Sequence, residues 1–159
     1  MLVCSLADDN IIGENFKRFL LYYLQNSTYF SVTVEEENRM LPELNDYLQR
    51  SFQTTLWYRY KTYGEPLVIM LYRSRPALLE ELMKYFDCLF PTYTKGVEDI
   101  CFFKDTKLMF GSVTHERIAE VVLSSETTDI KAVEKLAVWE KRMIQAREYA
   151  FYPDLEKFI

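Results

Sequence analysis

His115 is the only histidine in the 159-residue chain, and Glu116 and Cys101 are the nearest partners with which it could do chemistry. A catalytic histidine needs a nucleophile, a metal or a carboxylate that fixes its tautomer. Adjacent side chains on a strand point to opposite faces, and on a helix they diverge by about 100°. His115 and Glu116 therefore do not form a ready-made acid–base pair. Position 119 is Ala, so the sequence does not continue into the zinc-binding H-E-x-x-H pattern. Cys101 lies between Ile100 and Phe102 in an apolar run, without the cationic neighbours or helix N-terminus that lower a thiol pKa. It reads as a core residue, and His115 as a structural one.

Other reactive groupings are weaker. Cys4, Cys88 and Cys101 are odd in number and widely spaced, unlike a disulfide framework or a zinc knuckle. Gly13, Gly64, Gly96 and Gly111 are all isolated, so neither phosphate-cradling glycine loop is present. The acidic pairs and triplets lack the alternating ligands and glycine of a calcium loop. No catalytic residue, metal ligand set or cofactor is assigned from sequence.

Two stretches suit recognition better than catalysis. In WYRYK, a strand would place Trp57, Arg59 and Lys61 on one face and Tyr58 and Tyr60 on the other. Between residues 55 and 75, Arg59, Lys61, Arg73 and Arg75 outnumber Glu65, a local +3 in a chain of net charge −5. Aromatic and cationic residues of this kind stack on single-stranded bases, and they also form hot spots of protein interfaces. The second stretch is Glu35, Glu36 and Glu37. Residues 1–50 hold eight acids and four bases, which suits a basic protein partner and disfavours nucleic acid.

These residues need elements to hold them. Phe16, Phe19, Leu20, Tyr23 and Leu24 repeat at helical spacing and predict a helix over 12–25. Residues 28–36 alternate as a half-buried strand, and LVCSL at the start reads as a short edge strand. Leu44, Tyr47, Leu48 and Phe52 predict a second helix, opened by Pro42. Residues 55–72 read as a hairpin turning at Gly64, and the unbroken apolar arm 67–72 has the character of a central strand. A third helix is expected after Ser74, with Leu78, Leu79, Leu82, Met83 and Phe86 as its stripe. EDICFF and KLMFGSV flank the turn KDT as a further hairpin, and residues 117–123 favour a strand through their β-branched content. The longest helix is expected over 128–150, capped by Thr127, Thr128 or Asp129, followed by an irregular arm after Pro153.

The expected fold class is thus α+β: a mainly antiparallel sheet of about five to six strands flanked by four helices, a single compact globular domain over 1–159. No apolar leader and no run near 20 residues is present, so the expected location is cytoplasmic and no membrane partner is implied. The expected function is that of a small acidic protein-binding domain, a stoichiometric inhibitor or adaptor. Bacterial immunity proteins share this general character, an analogy of class and not of sequence. Its candidate contact residues are Glu35, Glu36, Glu37, Trp57, Arg59, Tyr60 and Lys61. Two alternatives stand beside it: a nucleic-acid accessory module built on the hairpin 55–75, and an enzyme centred on His115.

Overall fold

The computed structural model describes residues 1–36, 40–124 and 130–159. Eight strands form one antiparallel sheet: β1 (Leu2–Leu6), β2 (Tyr29–Val34), β3 (Leu48–Thr54), β6 (Leu67–Arg73), β7 (Val97–Lys104), β8 (Lys107–Val113), β9 (Ile118–Leu123) and β10 (Trp139–Met143). Their order across the sheet is β10-β1-β9-β8-β7-β2-β6-β3. A second, two-stranded sheet is the tight hairpin β4 (Leu56–Trp57) and β5 (Tyr60–Lys61).

Helix α1 (Gly13–Asn26) covers one face of the large sheet through Phe16, Phe19, Leu20, Tyr23 and Leu24. Phe19 packs edge-on against Phe110 at 4.9 Å, and Tyr23 stacks on Phe102 at 5.0 Å. Such offset and edge-to-face ring pairs are the favourable arrangements for aromatic cores. The four-residue helix α2 (Leu79–Leu82) and the chain up to Phe90 complete this layer. The opposite face carries Val3, Ile69, Leu71, Cys101, Phe103, Leu108, Val113 and Val122, covered by Trp57 and Tyr58 of the hairpin and by Leu155 near the C-terminal end. Both faces of the sheet are therefore buried. That is why β6 carries five buried residues in a row, without alternation.

The expectation of five to six strands flanked by four helices is overturned: α1 is the one long helix among the described residues. Residues 48–54 form the edge strand β3. The four-residue spacing of Leu48 and Phe52 is even, so it fits strand alternation as well as one helical turn. The third helix shortens to α2 after a 3-10 turn at Pro76–Leu78. Most of the expected 128–150 helix is replaced by the 3-10 turn Ile130–Ala132, by β10 and by the 3-10 stretch Ala146–Phe151, and its predicted caps at Thr127, Thr128 and Asp129 lie outside the described residues. Val133 enters the α1-side core and Ile144 the opposite one, so no single helical stripe serves both. β10 pairs with β1 from Leu2↔Met143 to Leu6↔Trp139, which moves β1 from the expected edge to an interior position. The expected 55–72 hairpin is also redrawn: β6 pairs with β2 and β3, while β4 and β5 pair with each other.

The hairpin of β7 and β8 is present, the expected strand over 117–123 forms from Ile118 to Leu123, and the segment after Pro153 packs as an irregular arm ending in a 3-10 turn at Leu155–Lys157. Among the described residues, no helix is long and apolar enough to cross a membrane.

Candidate functional site

The small hairpin is fixed on the sheet by its two-residue tip, Tyr58 and Arg59. Trp57 is buried, edge-on to Phe52 and Phe158 with ring centroids 5.6 Å away in each case. The Tyr58 ring lies over Gly111 of β8. A Cβ at position 111 would sit 2.6 Å from the ring, so only glycine permits this approach. Arg59 takes a left-handed backbone, φ 51°, and its amide donates to the Phe151 carbonyl at 3.0 Å. The C-terminal segment thereby holds a turn that a non-glycine residue adopts at some cost.

Beneath the tip lies Glu120 of β9, whose side chain is 1% exposed. Its carboxylate accepts hydrogen bonds from Tyr58 Oη at 2.7 Å, Tyr152 Oη at 2.6 Å, Arg142 Nη2 at 2.8 Å and Ser5 Oγ at 3.1 Å. Arg59 Nη1 stands 3.3 Å away as an ion pair. Arg142 also donates to Glu148 Oε1 at 3.2 Å, and Glu148 Oε2 accepts the Gln145 amide at 2.9 Å, closing the 3-10 stretch Ala146–Phe151. A buried carboxylate is costly unless paired and hydrogen-bonded, and this one is both. Burial by itself raises the Glu120 pKa, but hydrogen bonds from Tyr152, Tyr58 and Arg142 together with the Arg59 charge bring it below the ordinary 4.5. Burial pushes the Tyr58 and Tyr152 hydroxyls well up, with the Glu120 charge adding to it, so both stay protonated donors. One carboxylate thus binds β1, the hairpin, β10 and the C-terminal segment together.

On this anchored base the hairpin turns a different chemistry outward. Tyr60 is 40% exposed and Tyr63, just beyond β5, is 90% exposed. Lys61 Nζ lies 5.3 Å from the Tyr63 ring centre, a cation–π contact that orders both side chains. Of the four hairpin residues singled out in the sequence, then, Tyr60 and Lys61 face outward, Trp57 is core, and Arg59 is paired to Glu120. Glu35 and Glu36 are exposed just after β2, with the Glu35 amide bonded to the Gly96 carbonyl at 3.1 Å; Glu37 lies outside the described residues.

His115 occupies a separate place. Its Nε2 lies 3.2 Å from Glu98 Oε2, an ion pair when the imidazole is protonated. Glu98 precedes a β-bulge in β7 where Asp99 adopts φ 58°. Asp99 Oδ1 accepts the Thr114 amide at 2.7 Å, and the Asp99 amide donates to Thr114 Oγ1 at 3.2 Å. Burial and the Asp99 charge raise the Glu98 pKa, while His115 acts in the opposite direction. Glu116 is exposed. Cys101 is fully buried, its thiol pushed up to about 12 by that burial, and its sulfur faces the Asp99 carbonyl at 3.8 Å. Among the described residues, no hydrogen bond or ion pair joins Cys101 to His115. Among the described residues, no group of three His, Cys, Asp or Glu side chains is placed to hold a metal ion.

Sequence reasoning passed over Glu120, Arg142 and Tyr152. A signal was present: Glu120 is the one charge in the strand IAEVVL, and a lone carboxylate in an apolar run requires a buried partner. No family model, curated protein or solved structure matches this chain.

Proposed function

We propose that this chain is a protein-binding domain, acting as a stoichiometric inhibitor or adaptor, with the hairpin β4–β5 and the following Tyr63 as its contact surface. The observation that carries this reading is the contrast between the two ends of the hairpin. Its tip is held by Glu120, Gly111 and the Phe151 carbonyl, while Tyr60, Lys61 and Tyr63 stand exposed beside it. Exposed tyrosines on a rigid base lose little conformational entropy on binding, which makes tyrosine a frequent hot-spot residue. Of the four cations between residues 55 and 75, Arg59 is neutralised by Glu120, and that weakens the electrostatic case for nucleic acid as the ligand.

A second reading, an acid–base centre at His115, has the 3.2 Å approach to Glu98 in its favour. Both are tested by quantitative capture from native lysate with three proteins: wild type, Tyr60→Ala/Tyr63→Ala, and His115→Gln. Wild type and His115→Gln are expected to retain one protein at stoichiometric level, and the double tyrosine variant to lose it while its circular dichroism is unchanged. Retention by the double variant, or recovery of nucleic acid that high salt removes, would overturn the proposal. A hydrolytic or transfer activity lost in His115→Gln would install the second reading.

A further inference from the structure

The hairpin does not end at its own strands. Between it and the C-terminal segment lies a cleft of about 220 Å³, lined by Leu56 on one side and by Tyr149, Ala150, Pro153, Lys157 and Phe158 on the other. Leu56 pairs directly with Lys61, so the two share one face of the hairpin and Lys61 stands at the rim of the cleft. Tyr149, 48% exposed, lines the opposite wall of the cleft.

Size narrows the occupant. Drug-sized ligands and cofactors take roughly 300–1,000 Å³, more than this cleft offers. A cavity of about 150 Å³ is enough for one benzene ring, so the cleft holds one large side chain and little else. Charge narrows it further. Lys61 and Lys157 have no carboxylate partner among the described residues, whereas Asp154, the acid lining the same cleft, is paired to Lys107.

We infer that the cleft between Leu56 and the 149–158 segment receives a single aromatic or large aliphatic side chain from an acidic segment of the partner, with flanking carboxylates meeting Lys61 and Lys157. The inference rests on the protein-binding reading above and names the chemistry of the partner's contact. It follows the usual division of an interface into an apolar anchor in a pocket and a polar rim. The rim charges set encounter and register, and the anchor sets residence time.

The probe is a random linear peptide library displayed on phage and selected on the immobilised full-length chain, with the consensus peptide then synthesised and measured by fluorescence anisotropy. The expected consensus is one aromatic or leucine-like residue next to Asp or Glu. Ala150 is exposed and lines the cleft, so Ala150→Trp fills the space without disturbing the core, and it should weaken the peptide about tenfold or more. Lys61→Glu/Lys157→Glu should weaken it at about 0.05 M salt and much less at about 1 M, where charges are screened within roughly 3 Å. A consensus without an apolar anchor, a selection that yields no peptide, or equal affinity for wild type and Ala150→Trp overturns the inference. If the captured protein also binds Ala150→Trp as wild type yet is lost in Tyr60→Ala/Tyr63→Ala, the cleft is rejected and the hairpin reading stands. If no protein is captured at all, the hairpin reading itself falls.

Discussion

Glu120 decides more about this molecule than any other single residue. Four donors from four separate segments, with the Arg59 guanidinium as a fifth partner, converge on one buried carboxylate. Glu120→Gln keeps the shape but removes the charge, leaving Arg59 and Arg142 without their main counterion. Both arginines are about a third exposed and Arg142 keeps Glu148, so the loss is that of weakened charged hydrogen bonds, about 1–3 kcal/mol, read by urea denaturation at pH 7. The pH dependence has a definite sign. Because the folded pKa of Glu120 is depressed, its contribution is complete above the ordinary glutamate value of 4.5 and disappears as pH falls through the lower folded value. The gap between wild type and Glu120→Gln should accordingly be constant from pH 7 to about 5 and close below 4.5. A gap that widens on acidification would mean that the carboxylate is held protonated in the folded protein.

At the scale of elements, the close approach of Tyr58 to Gly111 is what seats the hairpin. A methyl group at position 111 would come within 2.6 Å of the ring, so Gly111→Ala must lift the hairpin or shift β8. Overpacking of this kind costs about 1–3 kcal/mol. Hydrogen exchange reads the consequence locally: the Arg59 amide, bonded to Phe151, should exchange faster in Gly111→Ala while the amides of α1 keep their protection. Unchanged exchange at Arg59 would show that the hairpin is held without Tyr58. The same element shows what sequence could and could not reveal. Helix α1 and the β7–β8 hairpin were legible because their periodicity is sustained and their neighbours in sequence are their neighbours in space. β3 and β10 were not, since their strand character comes from partners far along the chain, β6 for one and β1 for the other. Leu48 and Phe52, four apart, satisfy both periods, and Val133 and Ile144 look like one stripe until the sheet divides them. In the hairpin, residue types were readable but orientation was not: nothing local distinguishes Arg59, drawn inward by Glu120, from Lys61, left outside.

For the whole molecule, charge and surface chemistry point in different directions, and that difference is measurable. The chain carries a net −5, with Glu35 and Glu36 exposed after β2, whereas the cleft presents Lys157 and, opposite Leu56 in the hairpin, Lys61. A net negative field slows encounter with an acidic partner even where local cations will receive it, and salt removes that effect. Neutralising part of the field through Glu35→Gln, Glu36→Gln and Glu37→Gln together should speed association with the acidic consensus peptide at about 0.05 M ionic strength. Dissociation should change little, because residence is set by the anchor in the cleft while charges around it act mainly on encounter. At about 1 M the association rates of wild type and triple variant should converge. Stopped-flow fluorescence at both salts gives the four rates required. Slower association of the triple variant at low salt would reverse the sign, assign the acidic run to steering a basic partner, and move the contact surface from the hairpin to the end of β2.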